Sequence, residues 1–509
     1  MKDSTIIDKI YAGLLSSASN PDYGFEALQG RWGYKTSDGY NDKLLAFTKN
    51  VRRLAKEASI LYNSGQYWLF DDKIYIAVRE ELIMSAYDLL LEHLRIVPMI
   101  GNRQFCKKYF IDTIRYYNPL NPRNDVIAFK NGVLDLRDLR LYDFSPKFHV
   151  TYYHPYEYNE RAKCYKWNNF LHEVLPDKNS RLILQMFLGL GLIERGTVYN
   201  PCEGKDCAKV ELCLILIGSG SNGKSVIFNT AMGIYGRDRI SGIDYDELTS
   251  PGDEGMRARR LLRDALFNWS SDSDSRTFGR KRTGVFKRIV SGEPVTDRKI
   301  GEDVRENDHL PYLIFNLNEL PYPDDQSLGF IRRLQFISFD VTIPKERQNK
   351  SLSQELIAEY PGIFNWVLRG ARELRRRNFI FPSSEGNRRQ MLLAQLRVNP
   401  VLAWINSYQM RWDMRARNEV GVMIPTDTLL ESLEQFCADN EVEMVSKQKF
   451  GQTMARIGSG FFKKRGHKGC EYQIFGCTPE RLKEHFIISK ESMKIDYIEE
   501  KGTFITEDD

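Results

Sequence analysis

A parallel α/β core, preceded by a mixed α/β region and followed by a helix–helix–hairpin module, is the architecture this sequence predicts. Three observations carry it. Four apolar runs separated by helical stretches read as core strands: Leu212 to Ile217, Ala265 to Ser271, Pro311 to Asn318, and the end of Gly329 to Phe339. The first leads directly into Gly218-Ser219-Gly220-Ser221-Asn222-Gly223-Lys224-Ser225, and Val226, Ile227, Thr230 and Ala231 follow at helical spacing. After a composition shift near Arg372 to Arg377, two amphipathic stretches precede a basic, turn-containing run at Phe461 to Ile474.

The glycine-rich segment fits G-x-x-x-x-G-K-[ST] at every position, between a strand and a helix. Gly218, Gly220 and Gly223 permit a tight turn whose N–H groups point inward at phosphate oxygens. The helix opening at Lys224 adds its unpaired N–H groups and positive dipole end. Lys224 places an ammonium on the β- and γ-phosphates, and Ser225 offers a hydroxyl to Mg²⁺. A chance glycine turn would explain neither the strand before nor the helix after. Residues 218–225 therefore predict binding of a nucleoside triphosphate together with Mg²⁺.

At 509 residues the chain has room for about three domains. Its 42% hydrophobic and 28% charged content is that of an ordinary soluble protein, and no apolar run approaches the ~18 residues of a membrane span. A cytosolic location is the expectation, with no membrane partner. The eight cysteines include no C-x-x-C pair and read as reduced thiols. Cys202, Cys207 and Cys213 lie close together, but Cys213 is inside an apolar strand and no histidine is near. A plain loop before the strand is favoured over a zinc site. Residues 251–300 hold 12 Lys/Arg against 7 Asp/Glu, an excess as large as the +5 of the whole chain. Such charge beside a nucleotide site suggests a polyanion partner; a solvated basic face is the plainer alternative.

Residues 1–120 form the N-terminal mixed region, with β-favouring runs at Gln66 to Phe70 and Lys73 to Val78 and a helical pattern from Glu80 to Leu94. No paired catalytic carboxylates stand out there. Residues 121–195 contain a hairpin signal at Asn131-Gly132 and a helical stretch from Trp167 to Leu192. The nucleotide core spans 196–385. Arg257 to Arg263 reads as a basic helical segment. Asp272 and Asp274 end a strand read as neighbouring the phosphate loop, where an acid can hold Mg²⁺ through water and orient the attacking water. A surface turn would use the same residues. Asn318 ends the third strand, where its amide can hold water or the γ-phosphate; taken alone, an Asn in a turn before Pro321 is the plainer reading. Arg332 and Arg333 stand at the entrance of the fourth, a poor place for two cations unless they reach an anion, including one on a neighbouring subunit. Pro382-Ser-Ser-Glu-Gly386 reads as a linker. Residues 386–490 hold helices at Thr426 to Asn440 and Ser446 to Ile457 and the basic hairpin. The tail, 491–509, ends in Glu507-Asp-Asp509 and is expected to be mobile.

Taken together, these segments resemble a superfamily 3 helicase, specifically the helicase part of phage- and poxvirus-type primase–helicases, over roughly residues 120–385. Asn-Gly-Val-Leu-Asp-Leu (131–136) is similar to that family's pre-helicase region, and 218–225 to its phosphate loop. Lys287 to Lys299 looks like a motif that forms a DNA-contacting hairpin in the central pore. Asn318 matches the family's sensor position and Arg332-Arg333 its arginine-finger region. The family usually carries a Glu where this chain has Asp272 and Asp274, so the metal role stays open between those two.

The resemblance implies an AAA+-like ATPase that forms a ring, commonly a hexamer, with an arginine supplied in trans. It implies that Lys287, Arg298 and Lys299 hold single-stranded DNA, and that the C-terminal part is a winged-helix-like module. Lys463, Lys464, Arg465 and Lys468 could grip the phosphates of fork duplex there; a solvated hairpin tip or a protein-docking surface is the alternative. The leading expectation is thus an ATP-dependent DNA helicase in replication of a virus, phage or mobile element, acting with a separate primase in the host cytoplasm. Motivated by the two aspartates, the alternative is a nucleotide-gated origin- or junction-binding or loading protein with weak turnover. A combined primase–helicase would need a polymerising site in residues 1–120.

Overall fold

The structure is a computed structural model of the 509-residue chain. It describes residues 3–18, 52–55, 58–63, 65–93, 100–118, 120, 125–195, 207–220, 222–263, 265–271, 278–279, 282–301, 303–319, 328–411, 421–456, 463–466 and 469–488. Asp272, Asp274, Ser221, Cys202 and the acidic tail lie outside the described residues. The chain divides into two compact units, 1–158 and 159–509.

The first unit begins with α1 (Asp3–Ala18), followed by β1 (Ile60–Asn63), β2 (Gln66–Phe70) and β3 (Tyr75–Val78), an antiparallel sheet in sequence order. Asp71 makes the β2–β3 turn by accepting the N–H groups of Lys73 and Ile74 at 3.1 and 2.9 Å. Helices α2 (Glu80–His93) and α3 (Ile100–Tyr117) complete an apolar core with Ile10, Leu14, Ile83, Tyr87 and Phe110 at its centre. A second antiparallel sheet, β4 (Val126–Phe129), β5 (Gly132–Asp135) and β6 (Arg140–Tyr142), packs its own small cluster. Its turn corrects the sequence reading. Phe129 pairs with Gly132, so Lys130-Asn131 make the turn and Gly132 begins the strand. Glycine is required there because φ is +149° and a Cβ would lie 2.5 Å from the Tyr142 carbonyl.

The second unit opens with α4 (Tyr165–Val174) and α5 (Lys178–Gly189). The single helix expected from Trp167 to Leu192 is thus two. Pro176 cannot continue the first, and the Asp177 carboxylate starts the second by accepting the N–H groups of Asn179 and Ser180, both at 3.1 Å. After the short parallel pair β7 (Glu194–Arg195) and β8 (Cys207–Ala208) come β9 (Cys213–Ile217) and α6 (Lys224–Tyr235). The core continues with β10 (Ile240–Ser241), α7 (Tyr245–Thr249), α8 (Gly252–Arg260), β11 (Phe267–Ser270) and α9 (Thr283–Val290). Then follow the hairpin β12 (Val295–Asp297) and β13 (Arg305–Asn307), β14 (Tyr312–Leu317), α10 (Leu328–Ile331) and β15 (Leu334–Ser338).

Five of these strands form a parallel sheet in the order β10-β11-β14-β9-β15. This mixed α/β architecture is compatible with an NTPase-like core. The order corrects a second expectation: β11, which precedes Asp272, does not neighbour the phosphate-loop strand, because β14 lies between them. Strands β9, β14 and β15 are buried at every position, which explains their unbroken apolar runs.

Helices α11 (Leu352–Glu355) and α12 (Tyr360–Arg376) follow the sheet. The stretch expected to be a linker instead opens α13 (Glu385–Val398), with Ser384 Oγ accepting the Asn387 N–H at 3.0 Å. The chain then forms α14 (Pro400–Ser407), β16 (Val422–Pro425), α15 (Thr426–Asp439), α16 (Lys447–Arg456), β17 (Lys463–Gly466) and β18 (Gly469–Ile474). The last three strands make an antiparallel sheet in the order β16-β18-β17, over a separate core around Trp404, Phe436 and Ile474. No described helix is long and apolar enough to cross a membrane.

Candidate nucleotide-binding site

Because the five central strands are parallel, their carboxyl ends share one edge, where sheets of this kind hold ligands. The loop 218–225 leaves β9 at that edge, between the ends of β14 and β15. It is fastened to both neighbours. The Gly218 N–H donates to the Leu317 carbonyl at 3.1 Å, and the Ile217 carbonyl accepts the Phe339 N–H at 2.7 Å. Asn222, a buried residue, donates its side-chain amide to the Ser219 carbonyl at 2.7 Å and reaches the Phe339 carbonyl at 3.4 Å.

The three glycines, which the sequence treats alike, have different tasks. Gly223 has φ +86°, and a Cβ there would lie 2.8 Å from the Phe170 ring of α4. Gly218 is needed for the close approach to Phe339, whose carbonyl a Cβ would meet at 2.8 Å. Gly220 has open space around it. Lys224 is only 8% exposed, and its ammonium donates to the Gly218 carbonyl, so the charge is held within the loop. Ser219, Gly220 and Ser225 are exposed, the last in the first turn of α6, whose N–H groups and dipole favour anions. A buried ammonium, the N-terminus of α6 and an exposed serine fit a magnesium triphosphate.

Asn318 is exposed and directly follows β14; Leu317, its predecessor, pairs with Ile217, so Asn318 stands beside the start of the loop. Two residues earlier, Asn316 is buried and bridges β14 to β11, accepting from Trp269 Nε1 at 3.0 Å and donating to the Ser271 carbonyl at 3.2 Å. Sequence reading missed it; a lone amide inside an apolar strand was the available signal. It also missed Asp340 and Arg389. Asp340 follows Phe339 at the same edge, and Arg389 of α13 donates to its two carboxylate oxygens at 3.0 and 3.1 Å. Burial pushes the Asp340 carboxyl up from its ordinary value, and Arg389 opposes that shift.

Arg332 and Arg333 lie at the opposite edge, where the Arg333 carbonyl accepts the Cys213 N–H at 2.7 Å at the start of β9. The five residues of β9 separate this point from the loop by roughly 16 Å. The pair is not equivalent. Arg333 donates to Ser291 Oγ at 2.8 Å and to the Gly329 carbonyl, and lies 3.6 Å from Glu211. Arg332 is exposed.

Much of the basic excess of residues 251–300 is likewise engaged internally. Arg259 is buried and donates to the carbonyls of Leu248, Ser250 and Thr296; Arg263 grips both oxygens of Asp297 at 2.7 and 3.0 Å. Arg298 pairs with Asp253 at 3.0 Å. Lys287 is half-buried on α9, and Lys299 is exposed where the hairpin leaves β12. In the C-terminal sheet, Lys463, Lys464 and Arg465 lie on the edge strand β17, with Lys464 exposed.

Residues 117–176 match a family model described as D5 N terminal like, and residues 216–333 match one described as a family of unknown function, DUF5906. No curated protein sequence matches the chain. Among solved structures it is similar to "The A form apo structure of NrS-1 C terminal region-CTR", at 12% identity over 78% of this chain and 82% of that one, with a TM-score of 0.43. A second, "The apo structure of NrS-1 C terminal region (305-718)", has 12% identity over 82% of this chain and 96% of that one, with a TM-score of 0.39.

Proposed function

We propose that this chain is an ATP-dependent DNA helicase of the superfamily 3, AAA+-like type, moving on single-stranded DNA as a ring, commonly a hexamer, in replication of a phage, virus or mobile element. The match of residues 117–176 to a D5 N terminal like model is in keeping with that setting. One observation carries the reading. The phosphate loop and Asn318 occupy one edge of the sheet, while the exposed Arg332 stands roughly 16 Å away at the other. An arginine so placed cannot serve its own loop, but it can serve that of a neighbouring copy.

In this mechanism a bound magnesium triphosphate supplies the bond to be cleaved. The amides of 218–225 and Lys224 orient the phosphates, and Ser225 with Asp272 or Asp274 would hold the metal. Asn318 positions the attacking water, and Arg332 of the adjacent copy offsets the charge that develops on the transferred phosphoryl group. Arg333 is left out of that role by its internal bonds. Lys287, Arg298 and Lys299 would follow the single strand by its phosphates, and the C-terminal module, read as winged-helix-like, would meet fork duplex through Lys463, Lys464 and Arg465.

The deciding experiment is ATP hydrolysis with and without single-stranded DNA, paired with strand separation, for wild type and Lys224→Ala. DNA-stimulated hydrolysis and unwinding, both lost in the variant, are expected. Unwinding by Lys224→Ala would refute the motor, and slow hydrolysis indifferent to DNA would favour a nucleotide-gated DNA-binding protein.

A further inference from the structure

Asn316 occupies a position where an apolar side chain would be ordinary: 3% exposed, in a strand buried at all six residues. Both ends of its amide are used. Oδ1 accepts the Trp269 indole N–H at 3.0 Å, and Nδ2 donates to the Ser271 carbonyl at 3.2 Å. The β11–β14 ladder ends at the pair Ser270 and Phe315, so the second bond fastens the first residue beyond the strand. A buried amide left unpaired is costly, so the side chain itself enforces this placement of Ser271. Trp269 packs edge-on against Phe228, with ring centroids 5.5 Å apart, on the helix that begins with Lys224 and Ser225. Asn318 lies two residues further along the same chain, so one amide ties β14, β11 and the approach to the phosphate-loop helix together.

We propose that Asn316 is a positioning residue for the hydrolysis step, holding the carboxyl end of β11 in place relative to Asn318 and the start of α6. It acts through Trp269 and Ser271 and contacts no nucleotide. The inference rests on the reading of the chain as an ATPase.

The test is steady-state ATP hydrolysis and ATP-analogue binding by the full chain carrying Asn316→Asp, Asn316→Ser or Trp269→Phe, each with thermal unfolding. Asn316→Asp keeps an acceptor for Trp269 but sets an oxygen against the Ser271 carbonyl. It should lower kcat roughly 10–100-fold, the range seen when such supporting partners are removed. KM and analogue affinity should stay within about threefold. Trp269→Phe removes one of the two bonds and keeps the Ser271 bond, so it should lower kcat in the same direction by a smaller factor, with KM again unchanged. Asn316→Ser, smaller and neutral, takes the place of Asn316→Asp if the latter does not fold, with the same split expected. Wild-type kcat in whichever Asn316 variant folds overturns the proposal. So does a parallel collapse of analogue binding and unfolding temperature, which would make the residue merely structural. A wild-type chain that binds the analogue yet never turns over ATP removes the ATPase reading, and this proposal with it.

Discussion

Glu359 caps the helix that carries Trp167: its carboxylate accepts the Trp167 N–H at 3.0 Å and that of Lys166 at the same distance. The residue at the formal cap, Cys164, makes no such bond, so the helix is started from 192 residues away. That helix rests Phe170 against Gly223 of the phosphate loop. Glu359→Ala should therefore cost about 0.5–2 kcal/mol in urea unfolding and also weaken nucleotide binding. Lost stability with unchanged affinity would show that α4 does not support the loop.

The neighbouring Glu355 predicts a pH dependence. Hydrogen bonds from Asn349, Lys166 and Ser351 push its carboxyl down from 4.5 to about 2. A carboxyl lowered on folding adds stability above its unfolded value and surrenders it as pH falls through its folded one. The gap in Tm between wild type and Glu355→Gln should be near zero around pH 2 and fully open above pH 4.5. A gap independent of pH across that window would contradict the assignment.

The two adjacent arginines should separate cleanly. Arg333→Ala strips partners from Ser291 and Gly329 and should cost about 1–3 kcal/mol of stability. Arg332→Ala should change stability by less than about 0.5 kcal/mol and retain ATP binding, yet lower kcat by roughly 10³-fold or more. Mixing inactive Lys224→Ala and Arg332→Ala chains should restore some turnover, because a mixed assembly pairs an intact loop with an intact arginine. No recovery would place the arginine's action elsewhere.

Gly189 of α5 faces α12 so closely that a Cβ would lie 2.4 Å from the Ala371 nitrogen. Gly189→Ala should destabilise by about 1–3 kcal/mol through forced separation of the helices. Gly284, in open space near the start of α9, is the contrast: Gly284→Ala should stabilise by up to about 1 kcal/mol. Thermal unfolding of the two variants checks both signs.

The strand–loop–helix unit around 218–225 was legible because it is contiguous: strand, glycines, lysine and helix follow one another between Cys213 and Tyr235. The strands were legible too, since β9, β14 and β15 are buried on both faces and leave unbroken apolar runs. Their order was not, because no local pattern places β14 between β9 and β11. The count of charges is blind to pairing for a similar reason. Arg259 and Arg263 look like a basic surface in sequence, yet three carbonyls and Asp297 absorb them at long range. Arg332 and Arg333 are indistinguishable until backbone geometry turns one inward. Pro176, which divides α4 from α5, is a helix breaker set inside an otherwise continuous apolar pattern.

Strand β15 ends the central sheet, and a terminal strand normally offers a row of open backbone groups. Here α13 lies along it: Asn387 Oδ1 accepts the Phe336 N–H at 2.8 Å, and Gln390 donates to Ser338 Oγ at 3.2 Å. Leu393 of that helix packs against the sheet's core and against the C-terminal core as well. Cutting the chain after residue 384 to isolate the parallel-sheet part would thus bare a sticky margin and orphan half a hydrophobic seam. Any fragment meant to stay in solution should carry residues 385–398, and the leucines this leaves uncovered would need polar replacements.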